Sequence, residues 1–179
     1  AIPGWARARA DVQAGRADDR VLYWARLRCF AEAVRAGRAE PGDRNAWLDR
    51  ERGIDDVAFT GDADVRVLVT GFDPFFLDRE LGQSNPSGLV ALTLDDRVFE
   101  RAGLRIETQT LIVPVDYGDF DRGVVERALR PWLEGDRIDL LVTVSMGRDG
   151  FDLERFPGRR RSTTAPDNRN AHSGATPEA

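Results

Sequence analysis

VRVLVTGFDPF, residues 65–75, is a β-branched apolar run that stops on a glycine. Val65, Val67, Leu68 and Val69 carry a strand signal, and Gly71 permits a sharp turn directly off the strand. A second run, IDLLVTV at residues 138–144, is almost continuously apolar. That is the composition of a strand inside a parallel sheet covered on both faces. Leu104–Val113 reads as a third strand, and its polar residues predict partial exposure. Helical candidates separate the three. Pro86–Val98 has Asn85 or Ser84 at the cap position and Pro86 in its first turn. Phe120–Leu133 places Val124, Val125, Ala128, Leu129 and Trp132 on its buried side. Strand, helix, strand, helix, strand at this spacing predicts an α/β fold with a mainly parallel sheet. Three core strands leave such a sheet incomplete, to be finished by further chain or by another chain.

Ahead of this block, residues 18–39 predict a helix. Leu22, Ala25, Cys29, Ala33 and Ala36 form its apolar stripe, Asp18 and Asp19 mark its start, and Gly37 and Pro41 its end. A short helix is expected around Trp47 and Leu48, followed by a polar, glycine-containing linker. Trp24 and Trp47 are expected to anchor this region on the main body. The domain reading is therefore a helical N-terminal extension over residues 1–63 and an α/β domain over residues 64–179.

Composition narrows the chemistry. The 179 residues are 41% hydrophobic and 32% charged, with a formal charge of −5. That suits a foldable chain with one sizeable core, and gives no net field toward nucleic acid or an anionic membrane. No apolar run approaches membrane-spanning length. The single cysteine, Cys29, excludes an intrachain disulfide and a cysteine metal cluster, and the single histidine, His172, argues against an ordinary zinc site. No cofactor or metal is expected. Cys29 reads as a packed core thiol, since nothing beside it in sequence could act as its base.

In open α/β sheets ligands bind beyond the carboxyl ends of the strands. Three segments reach that edge: Gly71–Phe75, Val113–Tyr117 and Ser145–Gly150. Their convergence on one crevice is expected from topology. Phe72 and Phe75 are either core plugs or the walls of a small apolar pocket for a flat group. Arg148 is a candidate anion ligand. Glu154 beside Arg155, and the run Arg159–Arg161, read as solvated charges from the residues alone.

The ordered set GFDPF, Asn85-Pro86-Ser87, the Val-Pro-Val stretch, the glycine-bearing turn, Leu153-Glu154-Arg155 and Pro166-Asp167-Asn168 resembles pyroglutamyl peptidase type I, the pyrrolidone-carboxylate peptidase family of cysteine peptidases. The resemblance covers residues 65 to about 170. It implies a three-layer α/β/α fold and removal of an N-terminal pyroglutamyl group by a cysteine, a histidine and an acid acting together. Glu154 matches the acid that orients the histidine. Phe72 and Phe75 match the aromatics that sandwich the lactam ring, and Asn85 falls in the turn that organises the pocket edge. It also implies a cytoplasmic location, although a start at Ala1 leaves a secreted form open.

The departures are specific. Neither Cys29 nor His172 matches the family's nucleophile or base, which lie in its final third. Arg148 stands where the family carries a glutamine, and a permanent cation there favours a carboxylate-bearing ligand over a lactam. Two functions follow. One is a divergent pyroglutamyl-peptidase-like hydrolase acting on a peptide or small molecule, with cysteine and histidine supplied from sequence beyond residue 179. The other is a catalytically inactive family member that binds a small acidic ligand or peptide, or serves in assembly. The expected partners are such a ligand and a second copy or complementing C-terminal fragment.

Overall fold

The computed structural model describes residues 4–44, 47, 51–135, 137–147, 149–156 and 163–174. Two helices come first, α1 (Trp5–Gln13) and α2 (Asp19–Arg35), then a 3-10 turn at Pro41–Asp43. β1 (Val65–Phe72), α3 (Pro86–Leu94), β2 (Arg97–Arg101), β3 (Leu104–Val113), α4 (Tyr117–Asp121), α5 (Val124–Leu133) and β4 (Leu140–Thr143) follow. The four strands form one sheet in the order β2-β3-β1-β4. β1 runs parallel to β3, from Val65 opposite Ile106 to Phe72 opposite Val113. It also runs parallel to β4, while β2 is antiparallel to β3.

Strand alternation separates two cores, giving a three-layer α/β/α arrangement. Ile112 packs with Trp5, Ala8, Val12, Leu22, Ala91 and Leu92 on the side of α1, α2 and α3. Its neighbours Leu111 and Val113 pack with Leu68, Val57 and Leu129 on the other side. α1 and α2 therefore share one core with α3 and the sheet. Trp5 is 2% exposed, and its indole N–H donates to Asp95 Oδ2 at 2.9 Å. Residues 51–60, read from sequence as part of a polar linker, dock along β3. Ile112 N donates to Arg52 O at 2.8 Å, and Glu107 Oε2 accepts from Thr60 N at 2.9 Å.

Several elements differ from the sequence expectation. α3 ends at Leu94 and not at Val98, because Asp95 turns away and its carboxylate accepts from Trp5 Nε1 and Thr110 N. Arg97–Arg101 is instead a strand, joined to β3 through Ala102 and Gly103, both at positive φ. Two consecutive left-handed residues match the right-handed twist of a hairpin. Of the polar residues of β3 only Arg105 is partly exposed; Glu107, Thr108, Gln109 and Thr110 are all buried, because β1 and β2 flank the strand. The expected helix over residues 120–133 is broken at Gly123, which has φ 70° and starts α5. β4, expected as an internal strand, lies at the sheet edge, with Leu140 exposed.

α2 carries its own correction. Asp18 caps it, its side chain accepting from Arg20 N. Its buried face holds Leu22, Tyr23, Arg26 and Ala33, while Ala25 and Cys29 are half-buried and Ala36 is exposed. Trp24 is also exposed, stacked edge-on against Tyr23 and not serving as an anchor. The helix expected around Trp47 and Leu48 lies largely outside the described residues.

Candidate functional site

The carboxyl ends of β1, β3 and β4 open onto a cleft of about 350 Å³. The three segments picked out from topology meet there. Phe72 comes from the end of β1 and Phe75 from the turn after it, Pro114 to Asp116 from the turn after β3, Tyr117 from the start of α4, and Ser145 and Met146 from the chain after β4. Phe120 of α4 adds a fourth aromatic ring. Asn85 and Asp167 complete the described lining.

Asn85, Asp116 and Asp167 at this edge each have a structural task. Asn85 is 2% exposed and caps α3. Its Oδ1 accepts from Ser87 N at 3.0 Å, and its Nδ2 donates to Asp73 O at 2.7 Å. One amide thus joins a helix start to the turn between the two phenylalanines. Asp19 supports the same corner from α2: its Oδ2 accepts from Asn85 N at 2.8 Å and its Oδ1 from Ser84 Oγ. Burial pushes the Asp19 carboxyl above its ordinary range, with those hydrogen bonds opposing the shift.

The Pro166-Asp167-Asn168 segment forms another wall. Asp167 Oδ2 accepts from Tyr117 N at 2.9 Å, and its Oδ1 from Arg169 N at 2.8 Å and Ala171 N at 3.0 Å. Asn168 Nδ2 reaches Pro74 O at 2.8 Å, and Asn168 N donates to Val115 O at 3.1 Å. Asp116 caps α4 by accepting from Asp119 N, and is ion-paired to Arg169. These carboxylates shape loops, and the open surface of the cleft is left mainly to aromatic and aliphatic groups.

Asp73, between the two phenylalanines, does not line the cleft. It is buried with Arg26 and Arg52, each ion-paired to it, and all three side chains are 3% exposed. Arg52 Nη1 lies 2.8 Å from Asp73 Oδ2. Desolvation pulls the Arg26 guanidinium down to about 10, with Asp73 opposing, so it stays charged at neutral pH. Sequence reading missed this cluster. Its one visible signal was an arginine four residues after Leu22, on the helix face that faces inward.

Of the remaining sequence candidates, Glu154 sits in an exposed segment and is not among the lining residues. Phe151, Leu153 and Phe156 around it are also exposed. Arg148 lies outside the described residues. Cys29 is half-buried on α2, and His172 is exposed with Nδ1 3.3 Å from Thr163 O. Among the described residues no group of three or more His, Cys, Asp and Glu side chains is arranged to hold a metal ion, and no helix is long and apolar enough to cross a membrane.

A family profile described as "PA0049, C-terminal domain" matches residues 66–178. The chain is also similar to a Pseudomonas aeruginosa protein named "Uncharacterized protein PA0049", at 33% identity over 186 residues. That alignment covers 89% of this chain and 34% of the relative, so the chain spans about a third of the relative's length. No solved structure matches the chain. The profile takes in β1 from Arg66 and every element that contributes a wall to the cleft, and the chain belongs to the PA0049 C-terminal domain family.

Proposed function

We propose that this domain is a pyroglutamyl-peptidase-like binding module, whose cleft holds the small, flat end group of a peptide or metabolite. A pyroglutamyl lactam is the leading ligand. One observation carries the reading: Phe72 and Phe75, the two aromatics that match the lactam sandwich, both line the cleft beyond the sheet edge. A flat ring held between aromatic faces is stabilised by dispersion and by water release. Binding is favoured over hydrolysis because the described lining contains neither thiol nor imidazole. Its carboxylates are engaged with backbone amides and Arg169.

The hydrolase is the second reading, favoured by the ordered motif set around Glu154. It needs a cysteine and a histidine from outside this sequence, with Glu154 brought up to orient the imidazole. Arg148 makes an acidic ligand the alternative occupant in either case.

Calorimetric titration with a pyroglutamyl amide, and separately with its acyclic glutamyl counterpart, tests the proposal. The lactam is expected to bind, and Phe72→Ala or Phe75→Ala to abolish the signal in a folded protein. Absence of binding, or equal binding by those variants, overturns the lactam assignment. Release of product from a chromogenic pyroglutamyl amide, lost in Glu154→Ala, shifts the assignment to the hydrolase. Weaker binding of the acyclic carboxylate by Arg148→Gln identifies the acidic-ligand mode.

A further inference from the structure

We infer that Arg26 and Arg52 are positioning residues for the cleft. Acting through Asp73, they hold the Phe72–Phe75 wall, so chain ahead of the family-matched region is part of the binding apparatus. The inference rests on the binding reading above, and it assigns a role to residues that the family profile does not cover.

Asp73 is one residue from Phe72 and two from Phe75. Its main chain is tied on both sides. Asp73 N donates to Val113 O at 3.2 Å, Asp73 O accepts from Asn85 Nδ2 at 2.7 Å, and Pro74 O accepts from Asn168 Nδ2. Its side chain makes the remaining link, to α2 through Arg26 and to the chain before β1 through Arg52. Both arginines are themselves anchored. Arg26 Nη1 donates to Glu51 O at 3.1 Å, and Arg52 O accepts from Ile112 N at 2.8 Å.

The choice of residues points to direction and not to burial alone. An aliphatic side chain on α2 would fill the same space with less desolvation. Two guanidinium groups on one carboxylate, Arg26 through Nη2 to Oδ1 and Arg52 through Nη1 to Oδ2, instead hold that carboxylate from both of its oxygens and so fix where it lies. A turn fixed in this way keeps two aromatic faces at a set separation. Flat-ring recognition depends on that separation to within a fraction of an ångström.

The test uses the full chain with a fluorinated phenylalanine placed at position 75. Arg26→Lys, Arg52→Lys and Asp73→Glu keep the charges but change reach or fork geometry. Val12→Ala, in the α1 core, serves as a control of comparable thermal destabilisation. The three charge-conserving variants are expected to shift and broaden the fluorine resonance, and to weaken pyroglutamyl amide binding roughly tenfold, the scale on which loss of a supporting partner acts. The control is expected to leave both unchanged. A native fluorine resonance in the folded variants overturns the inference, as does an equal change in the control. If the native chain fails to bind the amide, the binding reading falls, and the fluorine signal still decides whether Arg26 and Arg52 hold the wall. Should one variant not fold, the other two carry the measurement.

Discussion

The backbone of Gly71 in β1 runs directly against Ser87 in the first turn of α3. A Cβ at Gly71 would overlap the Ser87 carbonyl, lying 2.8 Å from its carbon and 3.0 Å from Ala91 Cβ. The approach is reciprocal, since a Cβ on Gly88 would lie 2.6 Å from Phe72 O. Two facing glycines therefore let the strand end and the helix start meet where Asn85 joins the cleft.

Gly71→Ala is expected to force α3 off β1, at a cost of about 1–3 kcal/mol. Urea unfolding measures the loss. Since the displaced elements carry Phe72 and Asn85, ligand affinity should fall with stability. A stable variant of native affinity would show that the strand and helix can separate freely.

Trp5 holds α1 to the sheet by two means. Its ring lies in the core with Leu92 and Ile112, and its indole N–H bonds Asp95. Trp5→Ala should cost about 3–5 kcal/mol, the range for emptying a buried aromatic site. Trp5→Phe should cost less, because it refills most of the volume and loses chiefly the hydrogen bond. Equal losses in the two variants would show that the hydrogen bond, and not the packing, dominates.

Asp73 is ion-paired to both Arg26 and Arg52. Asp73→Asn leaves buried guanidinium charge uncompensated and should cost about 3–5 kcal/mol. Arg26→Met with Asp73 intact should cost less than Asp73→Asn, because it removes one cation and keeps the counter-charge for Arg52. Denaturant midpoints of the two variants give the comparison.

Tyr23 is buried beside this cluster. Desolvation first, then the Asp73 charge, pushes its phenol up to about 12 from an ordinary value of 10. Between those values the unfolded chain gives up the proton and the folded chain keeps it. The resulting stability is fully present below pH 10 and lost as pH rises toward 12, by roughly 3 kcal/mol. Phenolate absorbance should therefore develop late for Tyr23, together with unfolding. Tyr23→Phe should unfold at higher pH than the native chain. An unchanged alkaline midpoint would show that the phenol does not drive the transition.

Much of the sheet was legible because its signals are local. β3 matches the expected Leu104–Val113 in both bounds, and β1 extends the expected run by Gly71 and Phe72, the second of which lines the cleft. Helix α3 begins where Asn85 and Pro86 place it, since a cap and a first-turn proline are readable without neighbours. Its end was not readable. Asp95 leaves the helix to meet Trp5 and Thr110, partners 90 and 15 residues away. β2 was missed for a related reason. Its residues, RVFER, are all exposed, so no core-facing alternation marks them as a strand.

The sequence alone determined the order of β1, α3, β3, α5 and β4, the parallel arrangement of the three strands among them, and the edge at which a ligand site should lie. These follow from hydrophobic period, turn residues and the handedness of crossovers, all short-range properties of the chain. It also placed Phe72 and Phe75 at that edge. Only the tertiary structure decided what stands behind them. Arg26 on an apolar-looking helix face, Arg52 in an apparent linker and Asp73 in a turn are separated by 47 and 21 residues, and none signals the others. Their pairing comes from α2 and residues 51–53 docking on the sheet, which removes all three charges from water together. A buried charge is tolerated when its counter-charge is buried with it, and that condition is met only once the whole chain has folded.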